Sequence, residues 1–174
     1  FNIGDSTAAA SDLTISSVIS GGAGVGITKT GAGTLTLAGT NTFQGATTIN
    51  AGTVSIAADA GLGSAPATST SGQITFGGGT LATTSSFTLN SNRGIAVGAG
   101  GGSIDTATGT TLTYGGGITG SGTLTKTGDG TLALGAVNAF NGSLTVSSGT
   151  VTATELDLAS GQTLTSLKLD SYVS

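Results

Sequence analysis

The chain has 174 residues, and only 7% of them are charged, against about 25% in an average soluble protein. Its formal net charge is −4, and it has 33 glycines, one proline and no Cys, Met, Trp or His. The lack of cysteine excludes disulfides and thiol chemistry, although it does not fix the compartment. No run of about 18 apolar residues exists, so the sequence predicts no transmembrane segment. Nucleic acid is excluded as a partner because the basic residues are too few. They are Lys29, Arg93, Lys126 and Lys168.

Short β-strands are the dominant predicted element, because apolar residues alternate with Thr or Ser over many four-residue stretches. A disordered low-complexity chain is the first alternative, but the small net charge and the regular alternation of Leu, Ile and Val argue against it. Glycines between the strands allow sharp corners. Residues 56–63 are predicted as a loop or a short helical excursion, followed by a loop around Pro66. In chain order the predicted strands include 34–37, 53–56, 123–125, 131–134, 144–146, 150–152 and 167–169.

The spacing between these strands favours a parallel stack. Val54 follows Leu35 by nineteen positions, and Val151 follows Leu132 by the same interval. A recurrence of about 20 residues fits one turn of a β-solenoid, whereas an antiparallel sandwich would favour Asn-Gly or Asp-Gly hairpin turns. Those dipeptides occur only at 129–130 and 141–142. We therefore predict an all-β fold: a single right-handed parallel β-helix (β-solenoid) over residues 1–174. It would have about seven to nine coils, each of about 20–24 residues.

A gapless internal repeat supports this prediction. Residues 27–56 align with residues 124–153 at an offset of 97, and 15 of the 30 aligned positions are identical. Both copies contain the sequence TKTG, the pattern N-x-F-x-G and the tripeptide GTV. Such self-similarity is typical of stacked, quasi-one-dimensional architectures.

The first copy resembles the autotransporter-associated β-strand repeat of bacterial passenger domains. The residues that carry the resemblance are Gly31, Gly33, Thr34, Leu35, Leu37, Gly39, Asn41, Thr42, Phe43, Gly45, Thr47, Ile49, Gly52, Thr53 and Val54. The second copy departs from the pattern at Ala136, Ala139 and Leu144. The resemblance implies a parallel β-helix that is extracellular or on the outer surface of a Gram-negative-type bacterium. The start at Phe1, with no visible signal peptide or transporter barrel, suggests a passenger fragment or a processed free-standing secreted protein.

No catalytic, cofactor-binding or metal site is predicted, and the chain is not expected to be an enzyme. Histidine is absent and the carboxylates are scattered, so general acid–base chemistry has no visible machinery. Glu155 and Asp157 share one strand face, which is expected to be solvated. Residues 24–31 resemble a phosphate-binding loop but lack its Gly-Lys-Ser/Thr ending. The sequence GGGSID at 100–105 resembles a calcium repeat but occurs once, and a single copy cannot complete an oxygen shell.

Aromatic and basic residues at repeat positions are read mainly as architecture. Phe43 and Phe140 occupy the same repeat position and are predicted to lie in the core, with an exposed sugar-stacking surface as the alternative. Tyr114, beside three glycines, is the aromatic expected to be exposed. Lys29 and Lys126 are expected to be solvated charges at a corner of the solenoid.

The function that follows is a non-enzymatic extracellular structural or adhesive module of a bacterial surface or secreted protein. Homotypic end-to-end stacking through open β-edges, which would make a filament, is a further hypothesis. A glycan- or host-receptor-binding passenger module is the alternative. No cofactor is expected.

Overall fold

The computed structural model describes residues 1–6, 11–135 and 140–154, which form sixteen β-strands and one 3-10 helix at Asp59–Leu62. The helix lies in the stretch predicted as a helical excursion. The strands are short because glycine corners interrupt the alternating stretches after three to seven residues. They are β1 (Leu13–Ile15), β2 (Ile27–Lys29), β3 (Thr34–Leu37), β4 (Thr47–Ile49), β5 (Thr53–Ile56), β6 (Thr70–Phe76), β7 (Thr80–Thr83), β8 (Phe87–Leu89), β9 (Arg93–Val97), β10 (Gly102–Thr106), β11 (Thr111–Tyr114), β12 (Ile118–Gly120), β13 (Thr123–Thr127), β14 (Thr131–Leu134), β15 (Ser143–Val146) and β16 (Thr150–Ala153).

Three parallel sheets run along the molecule. The long sheet has seven strands in the order β1-β3-β5-β7-β10-β13-β15, the five-stranded sheet has the order β12-β9-β6-β4-β2, and the four-stranded sheet has the order β16-β14-β11-β8. Neighbours within a sheet come from successive coils, and the pairings between these strands are parallel. The β-solenoid is therefore confirmed over the hairpin sandwich. Its right-handedness stays a prediction.

The predicted register is confirmed, whereas the predicted number of coils is too high. Leu35 lies beside Val54, and Leu132 beside Val151, as their shared interval predicts. The seven strands of the long sheet enclose about six turns among the described residues, not seven to nine. Within the long sheet, the coil from Val54 to its partner Leu81 is the longest, with an interval of twenty-seven positions against nineteen for the shortest. It contains the 3-10 helix and Pro66. The six turns from Leu13 to Val146 nevertheless average about 22 positions, within the predicted 20–24, so the count is lower because the long sheet spans only part of the chain.

One predicted strand cannot be compared with the structure. The stretch 167–169 belongs to residues 155–174, which lie outside the described residues.

Aliphatic ladders fill the interior. Along the long sheet, one inward column runs from Leu13 through Leu35, Val54 and Leu81 to Ile104. Each coil buries its apolar face only against the coils on either side, so the core is continuous along the axis. Phe43 and Phe140 are both buried, which confirms their prediction as core residues.

The four-stranded sheet begins at β8, and in the coils before it the side chain of Asn41 links neighbouring coils on that side of the solenoid. The buried amide of Asn41 accepts a hydrogen bond from the Ile19 N–H at 2.8 Å, and it donates to the Gly61 carbonyl at 2.8 Å. The Asn41 backbone N–H also donates to the Ala60 carbonyl at 3.0 Å. One amide thus connects the coil before it with the coil after it, as a ladder hydrogen bond would.

The two repeat copies lie on different faces of the solenoid. The first copy supplies β2 to β5, and its Thr34–Leu37 stretch is in the long sheet. The second copy supplies β13 to β16, and its equivalent Thr131–Leu134 stretch is in the four-stranded sheet. The offset of 97 residues between the copies therefore corresponds to four full coils and one additional step to the next sheet around the axis.

Adjacent residues of β11 offer a test of the core. Leu112 is fully buried between Phe87 and Leu132, whereas the next residue, Thr113, points outward. We expect Leu112→Ala to lower the free energy of unfolding by about 2–5 kcal/mol, because it leaves a cavity in a continuous core. Thr113→Ala should change it by less than about 0.5 kcal/mol. Urea denaturation of both variants measures the difference; equal effects would contradict the assigned strand faces.

Candidate functional site

The basic side chains are the first place where the structure departs from expectation. Lys29 is fully buried, so its prediction as a solvated charge is wrong. Its Nζ atom lies 2.9 Å from the Thr30 carbonyl oxygen and 2.7 Å from that of Gly31, both in its own corner. A third carbonyl, that of Ala51 in the next coil, lies 3.3 Å away. The three ammonium donors thus have three acceptors.

Lys126 repeats this geometry four coils later and is also fully buried, so the same prediction is wrong for it. Its Nζ atom donates to the carbonyls of Thr127 at 2.5 Å and Gly128 at 2.7 Å. The Ser148 carbonyl of the next coil lies at 3.4 Å. We call Lys29–Gly33 with Ala51–Gly52, and Lys126–Gly130 with Ser148–Gly149, the lysine corners.

Strand phase explains why these lysines are buried. Lys29 follows Ile27 by two residues in β2, and Lys126 follows Leu124 by two residues in β13, so each takes the inward phase of its strand. Burial lowers the pKa of both ammonium groups. The negative charge of Asp12 opposes this shift at Lys29, and those of Asp105 and Asp129 oppose it at Lys126. The carbonyl acceptors also favour the charged form.

A glycine of the next coil closes each lysine corner. Gly52 and Gly149 have φ of 65° and 74°, in the left-handed region that favours glycine. A Cβ atom at Gly149 would lie 2.3 Å from the Gly128 carbonyl oxygen and 2.8 Å from Lys126 Nζ. At Gly52 it would lie 2.4 Å from the Gly31 carbonyl oxygen and 2.6 Å from Lys29 Nζ. The positive φ and the lack of space for a Cβ atom therefore both restrict each of these positions to glycine.

Arg93 is the third buried cation. It forms an ion pair with Asp59, with Nε 2.8 Å from Oδ1 and Nη2 3.0 Å from Oδ2. Its guanidinium also donates to the carbonyls of Leu62 at 3.0 Å and Gly63 at 2.6 Å. Arg93 thus satisfies carbonyls at the end of the 3-10 helix, and its charge is matched by a carboxylate.

Tyr114 belongs to the same interior network, so its prediction as an exposed aromatic is wrong. Its hydroxyl lies 2.7 Å from the Arg93 carbonyl oxygen and 3.0 Å from that of Gly117. Burial raises the pKa of the hydroxyl. The alternation Leu112-Thr113-Tyr114 already places the ring on the inward side of β11. Tyr114 therefore offers no surface for a sugar.

The exterior of the described residues carries hydroxyl ladders and acidic groups but no basic side chain, since Lys29, Arg93 and Lys126 are all interior. Lys168 lies outside the described residues. Outward hydroxyls line up across consecutive strands of the long sheet, and their spacing follows the strand separation of about 4.8 Å. The residues of this ladder are Thr34, Thr53, Thr80, Ser103, Thr125 and Thr145.

Three carboxylates accept hydrogen bonds, mostly from a neighbouring coil. Asp12 accepts from the backbone N–H groups of Thr34 at 2.7 Å and Ser6 at 2.6 Å, and these bonds lower its pKa. Asp105 accepts from the Thr127 hydroxyl, and Asp129 pairs with the Ser148 hydroxyl.

Two of the stretches that resemble a ligand site are parts of strands and corners in the described fold. Within residues 1–6, 11–135 and 140–154, no three acidic side chains come close enough to hold a metal ion. The GGGSID stretch runs into β10, and the loop-like stretch at 24–31 leads through β2 into the first lysine corner. Glu155 and Asp157 lie outside the described residues.

Two shallow surface grooves are present, with volumes of about 390 and 580 Å³. Neither contains a titratable side chain, whereas catalytic pockets usually bring together several polar groups of perturbed pKa. Among the described residues, no helix has the length and hydrophobicity needed to cross a membrane. The first groove is lined by Ala23, Gly24, Gln44, Ser64, Ala65, Pro66 and Ala67, and the second by Thr113, Ala133, Leu134, Gly135, Thr152, Ala153 and Thr154.

Comparison with known proteins identifies the lysine-corner segments. Residues 27–56 and 124–153, the two copies found by self-alignment, match the passenger-associated-transport-repeat family. The chain carries two autotransporter passenger β-repeats. Adhesin BmaC autotransporter of Brucella suis biovar 1 (strain 1330) is 39% identical over 146 residues, which cover 80% of this chain and 4% of that protein. No solved structure matches the chain.

Residues that the two repeat copies share have structural roles here. The lysine of TKTG donates to corner carbonyls, the following glycines turn the chain, and the glycine of GTV packs over the lysine. Asn41 and Phe43 link and fill the interior of the first copy. The repeat thus encodes a coil corner and its attachment to the next coil.

Two glycines with the same φ offer a test of the lysine corner. Gly109 and Gly149 both have φ of 74°, but a Cβ at Gly109 would meet nothing within 4 Å. We expect Gly109→Ala to destabilise the fold by about 1–2 kcal/mol through backbone strain alone. Gly149→Ala should be more destabilising by at least about 1 kcal/mol, because its Cβ also overlaps two carbonyls. Thermal and urea unfolding measure both; equal losses would show that the corner is not tightly packed.

Proposed function

We propose that this chain is a non-enzymatic structural and adhesive module of a bacterial autotransporter passenger. The observation that carries the proposal is the distribution of side chains. In the described residues, the buried cations are hydrogen-bonded within the fold, and the exterior carries hydroxyl ladders and a few carboxylates. Such a surface is suited to a rod that acts as a spacer or makes many contacts along its length, rather than to a pocket that encloses one substrate.

The relative supports an adhesive role for the larger protein. It is named an adhesin, and the matched region is 4% of its length, so a chain of this kind would be one short segment of a very long rod. Six turns at about 4.8 Å each contribute about 29 Å to such a rod. Adhesion by many weak contacts along the rod would then rely on avidity rather than on one tight site.

The expected location is the outer surface of a Gram-negative-type bacterium or the extracellular medium. The passenger repeats support this location, and a surface of hydroxyls and acids with no basic side chain among the described residues is consistent with it. The lack of an exposed basic side chain among the described residues also disfavours direct binding of polyanions, including nucleic acid, because phosphate contacts need exposed Lys or Arg.

The glycan- or receptor-binding alternative has lost its main candidate residue. Tyr114 is buried, and so are Phe43 and Phe140, so an aromatic platform for sugar stacking would have to come from elsewhere. The hydroxyl ladders remain as the polar surface through which a neutral glycan would have to bind.

A display experiment tests adhesion. The chain is fused to an autotransporter barrel, and bacteria that carry the fusion are compared with bacteria that carry the barrel alone. We expect several-fold more cells to be retained on epithelial monolayers, with Thr113→Ala as the folded control and Leu112→Ala as the destabilised variant. Retention equal to that of the barrel alone, with surface display confirmed by antibody, would refute the adhesive part. A glycan array probed with purified chain separates glycan binding from distributed contact.

End-to-end self-assembly is the second candidate, and the edges of the long sheet favour it. Within the described residues, β1 and β15 are the outer strands, and each pairs on one side only. Leu13, Ile15 and Val146 at these ends are only partly buried, so a further coil would cover them. Unpaired strand edges are templates for another chain.

Sedimentation and electron microscopy of purified chain test self-assembly. We expect the average mass to rise with concentration, and rods longer than a single chain to appear. Replacing Thr14, the outward residue of β1, by Pro should suppress assembly, because proline removes an edge N–H donor. Thr113→Pro is not a suitable control, since it would break an interior ladder, so Thr14→Ala is used instead. Monomers at all concentrations would eliminate this candidate.

A further inference from the structure

The strands of this solenoid are nearly interchangeable, which raises the question of what fixes their register. TLTL, TVSI, TLAL and SLTV all present Leu, Val or Ile inward and Thr, Ser or Ala outward. A slip of one residue would turn every side chain to the wrong face, but a slip of two would preserve the pattern. Leu124, for example, would then face Val146 instead of Leu144, and both are apolar.

The lysine corners distinguish between these registers. Lys126 finds two acceptors in its own corner, but its third acceptor is the carbonyl of Ser148, which directly precedes Gly149 in the next coil. A two-residue slip would move that carbonyl by about 6.6 Å and bring Ser147 or Val151 to the corner position of Gly149. A residue with a Cβ atom does not readily adopt the φ of 74° found at Gly149, so the corner that presents the preceding carbonyl to the ammonium group would not form. The ammonium group, fully buried, would then have an unmet donor.

The glycine reinforces the same register. A Cβ atom added at Gly149 would lie only 2.3 and 2.4 Å from the carbonyl oxygens of Gly128 and Gly130. A slip by two would bring Ser147 or Val151 to this position, and both have a Cβ atom. The buried lysine therefore disfavours the two-residue slip through an unpaired donor, and the glycine position disfavours it through steric overlap.

The first copy has the same arrangement. There Lys29 reaches the Ala51 carbonyl of the next coil, and Gly52 lies against the corner. Both passenger repeats therefore carry the same polar and steric constraint on the alignment of neighbouring coils.

We propose that the lysine corners are register determinants: each selects, among similar coil sequences, the one alignment that places a carbonyl–glycine pair over the buried ammonium group. A buried polar group that fixes register at some expense of stability has precedent in coiled coils, where an interior Asn does so. On this account Lys29 and Lys126 are positioning residues. Their removal should affect alignment more than it affects the strength of the core.

Cysteine cross-linking tests alignment directly, because the chain has no native cysteine. Thr125 and Thr145 are outward register partners on β13 and β15, so a cysteine pair there reports the native register. Their Cα atoms are about 5 Å apart, within disulfide range, whereas the diagonal pair of residues 125 and 143 is about 8 Å apart and outside it. Cysteines at Thr125 and Ser143, or at Thr125 and Ser147, therefore report slipped registers.

The variants are Lys126→Met, Gly149→Ala and both together, each refolded in full-length chain and oxidised. The matched control is Leu124→Met, another methionine at a buried inward position of the same strand. We expect the ratio of slipped to native cross-link to rise about tenfold in Lys126→Met, because the charged donor no longer penalises the slip, and to rise further in the double variant. The Leu124→Met ratio should equal that of the parent.

The proposal is overturned if the double variant cross-links only in the native register. It is also overturned if Lys126→Met behaves like Leu124→Met, even when its melting temperature falls, because the lysine would then only stabilise. Should Lys126→Met fail to fold, the same comparison is made with Lys29→Met, using the native pair Thr28 and Thr48 and the slipped pair Thr28 and Asn50. If neither lysine variant folds, the lysines are required for folding in any register and the proposal fails.

Discussion

The close approach of successive coils at their corners is the constraint on which this solenoid depends. Strands of three to seven residues cannot bury an apolar face alone, so each coil must lie at hydrogen-bonding distance from the next over its whole length, corners included. At the lysine corners this distance leaves no room for a side chain above the backbone, as the contacts of Gly52 and Gly149 show. The glycine-rich, weakly charged composition follows from this geometry, because corners need glycine and strands need alternating Leu or Val and Thr.

Interior polar groups adapt this simple stack to an irregular sequence. Asn41 connects coils where no strand is present, and Arg93 with Asp59 accommodates the longest coil, in which a 3-10 helix takes the place of a strand. After that coil, the four-stranded sheet begins with β8 and the third side becomes regular. A charged group can be retained here because each guanidinium nitrogen of Arg93 has an acceptor within the fold. An apolar replacement would leave the carbonyls of Leu62 and Gly63 without these partners.

The sequence predicts the strand spacing well because period and alternation are local signals: the interval between Leu35 and Val54 is the register of β3 on β5. Prediction from the sequence fails where the chemistry of a side chain favours the surface but its position in the strand faces the core. The chemistry of Lys29, Lys126 and Tyr114 favours the surface, although each lies two residues after a buried aliphatic residue. The partners Arg93 and Asp59 come from different coils and meet only when those coils stack, so no local pattern contains the pair.

The rotation of the two passenger repeats by one sheet has a consequence for recognition from outside. An antibody or receptor that bound the outward residues of β3 in one copy would find the equivalent β14 four coils further along and on another face of the rod. One rigid ligand could not engage both copies in a straight line. In a long passenger with many such copies, equivalent epitopes would point in several directions, so that the rod would present a similar surface to whichever side a neighbouring cell approached.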